Sequence, residues 1–186
     1  MRFTVKPARL LYILSILSIA VLPLTAQQNN TQTIDTRFTK HIITSDVISE
    51  GVAVADINKD GKTDIIAGAY WFEAPSWKKH EITTPQHHSP ATEFSNSFLN
   101  FALDVNQDGW IDQIRISLPG EEIVWYENPA NKQIHWKAHA IVSNAGNESP
   151  AFVDIDGDGR ADILCNDPVA KEMIWLKSPS VKGDTL

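Results

Sequence analysis

From residue 38 onward, apolar positions come in short runs broken by Gly, Pro, Asn and Asp. One such run precedes an acidic loop three times: Val52-Ala53-Val54-Ala55, Phe101-Ala102-Leu103 and Ala151-Phe152-Val153. A second run follows each loop: Ile65-Ile66-Ala67, Ile114-Arg115-Ile116 and Ile163-Leu164-Cys165. An aromatic segment ending in a turn comes next: Trp71-Phe72-Glu73-Ala74-Pro75, Trp125-Tyr126-Glu127-Asn128-Pro129 and Trp175-Leu176-Lys177-Ser178-Pro179. Residues 77–82 and 136–141 close the first two copies with a Trp, a His and an Ile at matching places, and residues 38–43 repeat that pattern ahead of the first copy. Each copy reads as four short strands, the third lacking its last one, and no window holds a sustained helical period.

Four strands in a period of about 50 residues are the pattern of a propeller blade. The sequence therefore predicts an all-β chain of four-stranded antiparallel β-propeller blades, with about three blades present and residues 38–43 as an added outer strand. Three blades fall short of the roughly four to eight of known propellers. The expectation is an incomplete or partial propeller: a fragment, a truncated product, or one arm of a longer chain or oligomer.

The acidic loops carry the chemistry. They span residues 56–64, 104–112 and 154–162, and their starts lie 48 and 50 residues apart. Each reads D-x-[DN]-x-D-G-x-x-D. Calcium is a hard cation that takes about six to eight oxygen ligands. Positions 1, 3 and 5 offer side-chain oxygens, from Asp56, Asn58 and Asp60, from Asp104, Asn106 and Asp108, and from Asp154, Asp156 and Asp158. Glycine at position 6 permits a sharp turn. Position 7 can give its backbone carbonyl, here from Lys62, Trp110 or Arg160. Asp64, Asp112 and Asp162 close the set. An EF-hand is excluded, because it needs Glu at position 12 and flanking helices. Position 12 here is Ala67, Arg115 or Cys165. Asp/Asn-Gly stretches also form ordinary turns, but three complete copies at regular spacing favour up to three structural Ca2+ ions.

Composition sharpens this picture. The chain has 186 residues, 42% of them hydrophobic, with six Trp, so it can bury a core and is not disordered throughout. Its net charge of −7 argues against nucleic acid as a partner. A single Cys excludes a disulfide framework and a Cys-rich zinc site. Residues 1–26 hold three basic residues, no acid and an apolar run over 10–22. They read as a secretory signal peptide, with an uncleaved anchor, and hence a membrane link, as the alternative. Residues 27–37 read as a flexible leader. A secreted, periplasmic or cell-surface location follows.

The loops, the short strands and the Trp-aromatic-Glu-x-Pro turns resemble the FG-GAP/VCBS repeat family, which includes the calcium-loaded blades of integrin α-subunit propellers. The resemblance covers residues 38–186. It implies structural calcium between the first two strands of each blade, held by Asp56, Asn58, Asp60, Asp64 and their counterparts. The name-giving Phe-Gly and Gly-Ala-Pro motif is poorly preserved.

Other residues also offer chemistry. His41, His80 and His139 hold matching strand positions on separate blades, which suits a repeated structural residue better than one metal site. The segments between blades lie opposite the calcium loops in a propeller, which makes His87, His88, Glu93, Asn96, Asn147 and Glu148 candidate ligand contacts. The Trp residues are expected between blades, with Trp110 partly exposed, and Cys165 is expected as an inert buried thiol. No Gly-x-Ser-x-Gly, Walker loop or His-Glu-x-x-His occurs. The sequence favours an exported binding or scaffold module for a glycan or protein. The alternatives are the propeller part of a carbohydrate-active enzyme resembling aldos-2-ulose dehydratases, and a truncated product without a function of its own.

Overall fold

The structure is a computed structural model that describes residues 38–89, 91–146 and 148–181. The segments read as signal peptide and leader, and Asn147, lie outside the described residues. The strands fall in the unit His41–Leu186. Among the described residues the regular structure is entirely β.

Three antiparallel sheets follow one another along the chain. The first contains β1 (Ala53–Ala55), β2 (Asp64–Ala67), β3 (Tyr70–Glu73) and β4 (Lys78–Glu81), hydrogen-bonded in that order. The second contains β5 (Leu99–Leu103), β6 (Asp112–Ile116), β7 (Glu121–Glu127) and β8 (Lys137–Ala145), again in chain order. The third contains β9 (Ala151–Val153), β10 (Asp162–Asp167) and β11 (Glu172–Leu176). Each sheet is a simple meander, the arrangement of a propeller blade, and together they form an open array. The repeat period and the strand content are as the sequence predicts.

Residues 38–43 depart from the expectation, since they form no strand. Phe38 and His41 are exposed there, so His41 does not share the strand position of His80 and His139. The segment pairs with none of the three sheets. Without a ladder partner its backbone has no reason to hold an extended register.

Packing explains the burial pattern. Ile57, Ile66, Trp71 and Ile82 of the first repeat meet Val124, Tyr126 and Trp136 of the second. The opposite face of the second sheet sets Val105, Ile114, Ile116, Ile123 and Trp125 against Ile163 and Cys165 of the third. Phe101 and Phe152 stack across that same interface with ring centroids 4.4 Å apart. Strand β6 lies between two neighbouring sheets, and all five of its residues are buried. Strand β10 has a neighbour on one side only, and Leu164 and Asn166 remain outside the buried set. Polar side chains also cross the first interface. Gln113 donates to Asn100 Oδ1 (2.6 Å) and to the Gly68 carbonyl (2.8 Å), and Asn100 donates to the Gly51 carbonyl (2.7 Å).

The interblade role expected of Trp holds for Trp71, Trp125 and Trp136, which are buried. Trp175 occupies the same repeat position as Trp71 and Trp125 but is 46% exposed. On the same side of the third sheet Met173 is 72% and Leu164 36% exposed. Trp110 is half-buried, and Cys165 is buried in the second core.

Candidate metal centre

All three acidic loops join the first and second strands of their sheets. Their local fold follows from the residue types. The chain enters the left-handed region at position 4 (Lys59, Gln107, Gly157) and again at position 6 (Gly61, Gly109, Gly159). Position 6 is glycine each time, at φ of 81, 88 and 88°, where a side chain would be strained. These two reversals wind the loop so that its backbone N–H groups face its own side-chain oxygens.

The hydrogen bonds repeat almost atom for atom. Asp60 N donates to Asp56 Oδ1 and Asn58 Oδ1, both at 3.0 Å, and Gly61 N donates to Asp56 Oδ2 at 2.9 Å. Asp108 N donates to Asp104 Oδ1 and Asn106 Oδ1 at 3.0 Å, and Gly109 N donates to Asp104 Oδ2 at 2.8 Å. Asp158 N donates to Asp154 Oδ1 (3.2 Å) and Asp156 Oδ1 (3.3 Å), and Gly159 N donates to Asp154 Oδ2 (2.8 Å). Position 7 closes each loop, with Lys62, Trp110 and Arg160 donating their N–H to Oδ1 of Asp60, Asp108 and Asp158.

The position 9 aspartates are the buried floor. Asp64, Asp112 and Asp162 are completely buried. Asp64 accepts from Ile57 N (3.0 Å) and Ala74 N (2.8 Å). Asp112 accepts from Val105 N (2.9 Å) and Asn128 N (2.8 Å). Asp162 accepts from Ile155 N (3.3 Å) and Ser178 N (2.7 Å). Each carboxylate thus joins the start of its loop to the turn after the third strand of its sheet. Burial pushes the Asp112 carboxyl up to about 7, against the lowering effect of its backbone donors. Asp154 is the opposite case. Donation from Gly159 N holds it below the usual carboxylate range, with smaller help from Gly157, Asp158 and Lys177.

Oxygens of Asp154, Asp156 and Asp162 lie within 4.8 Å of one another. Such a set of hard oxygens around a small volume, with a buried carboxylate at its base, fits the donor chemistry of calcium. The first two loops offer Asn in place of the second acid and the same backbone frame.

The side chains at position 7 go elsewhere. Lys62 pairs with Asp60 at 2.7 Å. The Trp110 ring lies under the Lys59 ammonium, 4.2 Å from its centroid. Arg160 reaches the second loop and donates to the carbonyls of Asp104 (2.7 Å) and Val105 (3.4 Å).

Two models of known repeats match the chain. One, described as FG-GAP repeat, covers residues 50–75, and one described as FG-GAP-like repeat covers residues 104–165. The chain carries FG-GAP repeats. The first match takes in the first loop with β1, β2 and β3, and the second runs from the second loop through the third. No curated protein and no solved structure matches the chain.

The expected ligand contacts of this FG-GAP repeat chain are dispersed. His87 and His88 line a depression of about 500 Å³ with Asp46, Tyr70 and Pro85. His88 and Glu93 line another, of about 430 Å³, with Glu50 and Phe94. Asn96 borders a third, of about 600 Å³, together with Arg115 and Glu122. Glu93 is engaged by Ser89 N at 2.7 Å, and Asn96 donates to Gln86 at 2.9 Å. Glu148 is exposed and borders none of these three.

Sequence reasoning missed a smaller cavity of about 210 Å³ between the first and second sheets. Trp71, His80, Glu81, Gln133, His135 and Trp136 are among its walls. His135 and Glu81 pair at 3.0 Å, and His80 Nδ1 lies 3.3 Å from Gln133 Oε1. The only sequence signal was the repeated Trp-x-x-His segment, and nothing in its spacing showed that residues 131–135 would fold over the first sheet. Among the described residues no helix is long and apolar enough to cross a membrane.

Proposed function

We propose that this protein is an exported calcium-binding module whose loops 56–64, 104–112 and 154–162 take up to three structural Ca2+ ions. The observation that carries this reading is the common frame of the three loops. In each, the oxygens at positions 1, 3 and 5 are turned inward by backbone N–H groups, above a fully buried aspartate at position 9. A bound cation would offset the mutual repulsion of the carboxylates and the burial of the floor aspartate. It would pin the turn between the first two strands and thereby stiffen the blade. The connections at the opposite end of the blades, with His87, His88, Glu93 and Asn96, would then be free to meet a glycan or protein partner. Export is supported by the basic and apolar residues 1–26.

The test is thermal unfolding of the metal-stripped chain with and without calcium. At free calcium a hundredfold above the dissociation constant, each site adds about 2.7 kcal/mol. A melting temperature unmoved at millimolar calcium would overturn the reading.

A second reading, a part in a carbohydrate-active enzyme, is favoured by the 210 Å³ cavity, which puts a carboxylate, two imidazoles and two indoles side by side. Turnover of sugar or ketosugar substrates that disappears in Glu81→Gln and His135→Ala would favour it. Ligand binding without turnover would favour the module.

A further inference from the structure

The three loops are alike in backbone but differ at one contact. Glu73, Glu127 and Lys177 share a repeat position, two residues after Trp71, Trp125 and Trp175. Each faces position 3 of its own loop. Asn58 Nδ2 lies 3.5 Å from Glu73 Oε1, and Asn106 Nδ2 lies 3.4 Å from Glu127 Oε1. In the third repeat both partners change together. Position 3 is Asp156, and the facing residue is Lys177, whose ammonium bridges Asp156 and, at 3.0 Å, Asp158.

The two glutamates are held in place by a repeated support. His80 Nε2 lies 2.8 Å from Glu73 Oε2, and His139 Nε2 lies 2.8 Å from Glu127 Oε2. Each imidazole stacks on the indole across the strand pair, His80 on Trp71 and His139 on Trp125, with centroids 4.2 Å apart. The amide of position 3 therefore turns its N–H toward the glutamate and leaves its oxygen for the interior of the loop. That orientation suits a cation ligand, and the glutamate adds a negative charge just behind it.

The third loop is built the other way. Its extra carboxylate is already matched by an ammonium that spans positions 3 and 5. Lys62 of the first loop is not equivalent, because its ion pair is with Asp60 at position 5 and it does not bridge to position 3, although Glu73 and Asp64 also lie within its electrostatic reach.

Resting on the reading of the loops as calcium sites, we propose that Lys177 acts as an internal cation that makes the third loop the weakest of the three. Glu73 and Glu127, as positioning residues, make the first two the tight sites. A divalent ion entering the third loop must displace the ammonium from two carboxylates or bind beside a like charge. Lys177 is 42% exposed, so it can swing away, and the loop is weakened rather than closed. The expected penalty is about tenfold in affinity.

The test is a calcium titration of the metal-stripped full chain by calorimetry, paired with terbium luminescence. Trp110 sits within the second loop, and its ring also reaches Lys59 of the first, so luminescence that is sensitised by it and lost in Asp108→Asn marks the second site. The wild-type chain should bind two ions tightly and a third about tenfold more weakly. Lys177→Glu, which installs the residue of the other two repeats, should bring the third site level with them. Lys177→Met should recover part of the gap. Glu73→Lys should weaken the first site while leaving the Trp110-sensitised signal unchanged. Circular dichroism on each variant separates these effects from a failure to fold. Two or three bound ions whose affinities do not respond to either Lys177 variant would overturn this inference and leave the calcium reading standing. No binding by any loop would overturn both.

Discussion

Arg160 of the third loop donates a hydrogen bond to the carbonyl oxygen of Asp104 in the second, 2.7 Å away. The second repeat reaches back in the same manner, for Asn128 Nδ2 lies 3.1 Å from the carbonyl oxygen of Ile57 in the first loop. The first and second acidic loops are therefore each fastened to the next blade through their own backbone. Whatever steadies a loop also steadies the contact between neighbouring sheets.

Removing either fastener should loosen that contact. In Asn128→Ala the buried carbonyl of Ile57 and the half-buried one of Ile111 lose their donor, and Arg160→Ala does the same to Asp104 and Val105. Each substitution should cost about 1–3 kcal/mol in urea unfolding. Arg160→Lys should restore little, because an ammonium lacks the planar fork of the guanidinium.

The shared Trp position gives a contrast within one chain. Trp125 is 2% exposed between two sheets, whereas Trp175 is 46% exposed. Trp125→Ala should cost about 3–5 kcal/mol. Trp175→Ala should cost a small fraction of that and leave the unfolding midpoint nearly in place. Equal losses at the two sites would mean that Trp175 is covered in solution.

The blade pattern was legible because it is local. Alternating apolar triplets around Asp56–Asp64 and its two copies fix the strand ends, and Gly61, Gly109 and Gly159 mark the turns. What escaped the sequence depends on neighbours. Residues 38–43 carry the Phe, His and Ile of an outer strand, yet a strand exists only where a ladder partner is present, and none pairs there. The roles of Glu73, Glu127 and Lys177 were equally hidden. They lie 15 to 21 residues from the loop side chains they touch, and only the pairing of the third strand to the second brings them together. The cavity beside Trp71 and Trp136 needs two sheets to exist at all.

Cys165 should behave as a core residue rather than a reactive thiol. It is 3% exposed between the second and third sheets, and burial pushes its thiol up, with Asp167 adding to the effect. Little thiolate forms at neutral pH, and reagents have no path to it. Thiol titration of the native chain should therefore be slow, and rapid once urea unfolds the protein. Fast labelling before unfolding would show that the second interface opens readily.

Asp112 links the loops to pH. Its folded carboxyl is pushed up to about 7, while an unfolded Asp titrates near 3.9. The folded state thus holds its proton more tightly through the window between those values. Stability from this group is fully present below the unfolded value and is lost as pH rises through the folded one. In the metal-free chain Asp112 should lower the unfolding free energy by about 1 kcal/mol per pH unit across the middle of that window. Asp112→Asn removes the titration, so the difference between wild type and variant should change with pH by that slope in urea unfolding at pH 5 and pH 7. Calcium reverses the preference, because it binds the ionised carboxylate. Affinity at the second loop should fall as pH drops below 7, with a proton released on binding. Calorimetry in two buffers of different ionisation enthalpy measures that proton directly. A calcium affinity independent of pH between 5 and 7 at the Trp110-marked site would show that Asp112 is already ionised before the ion arrives.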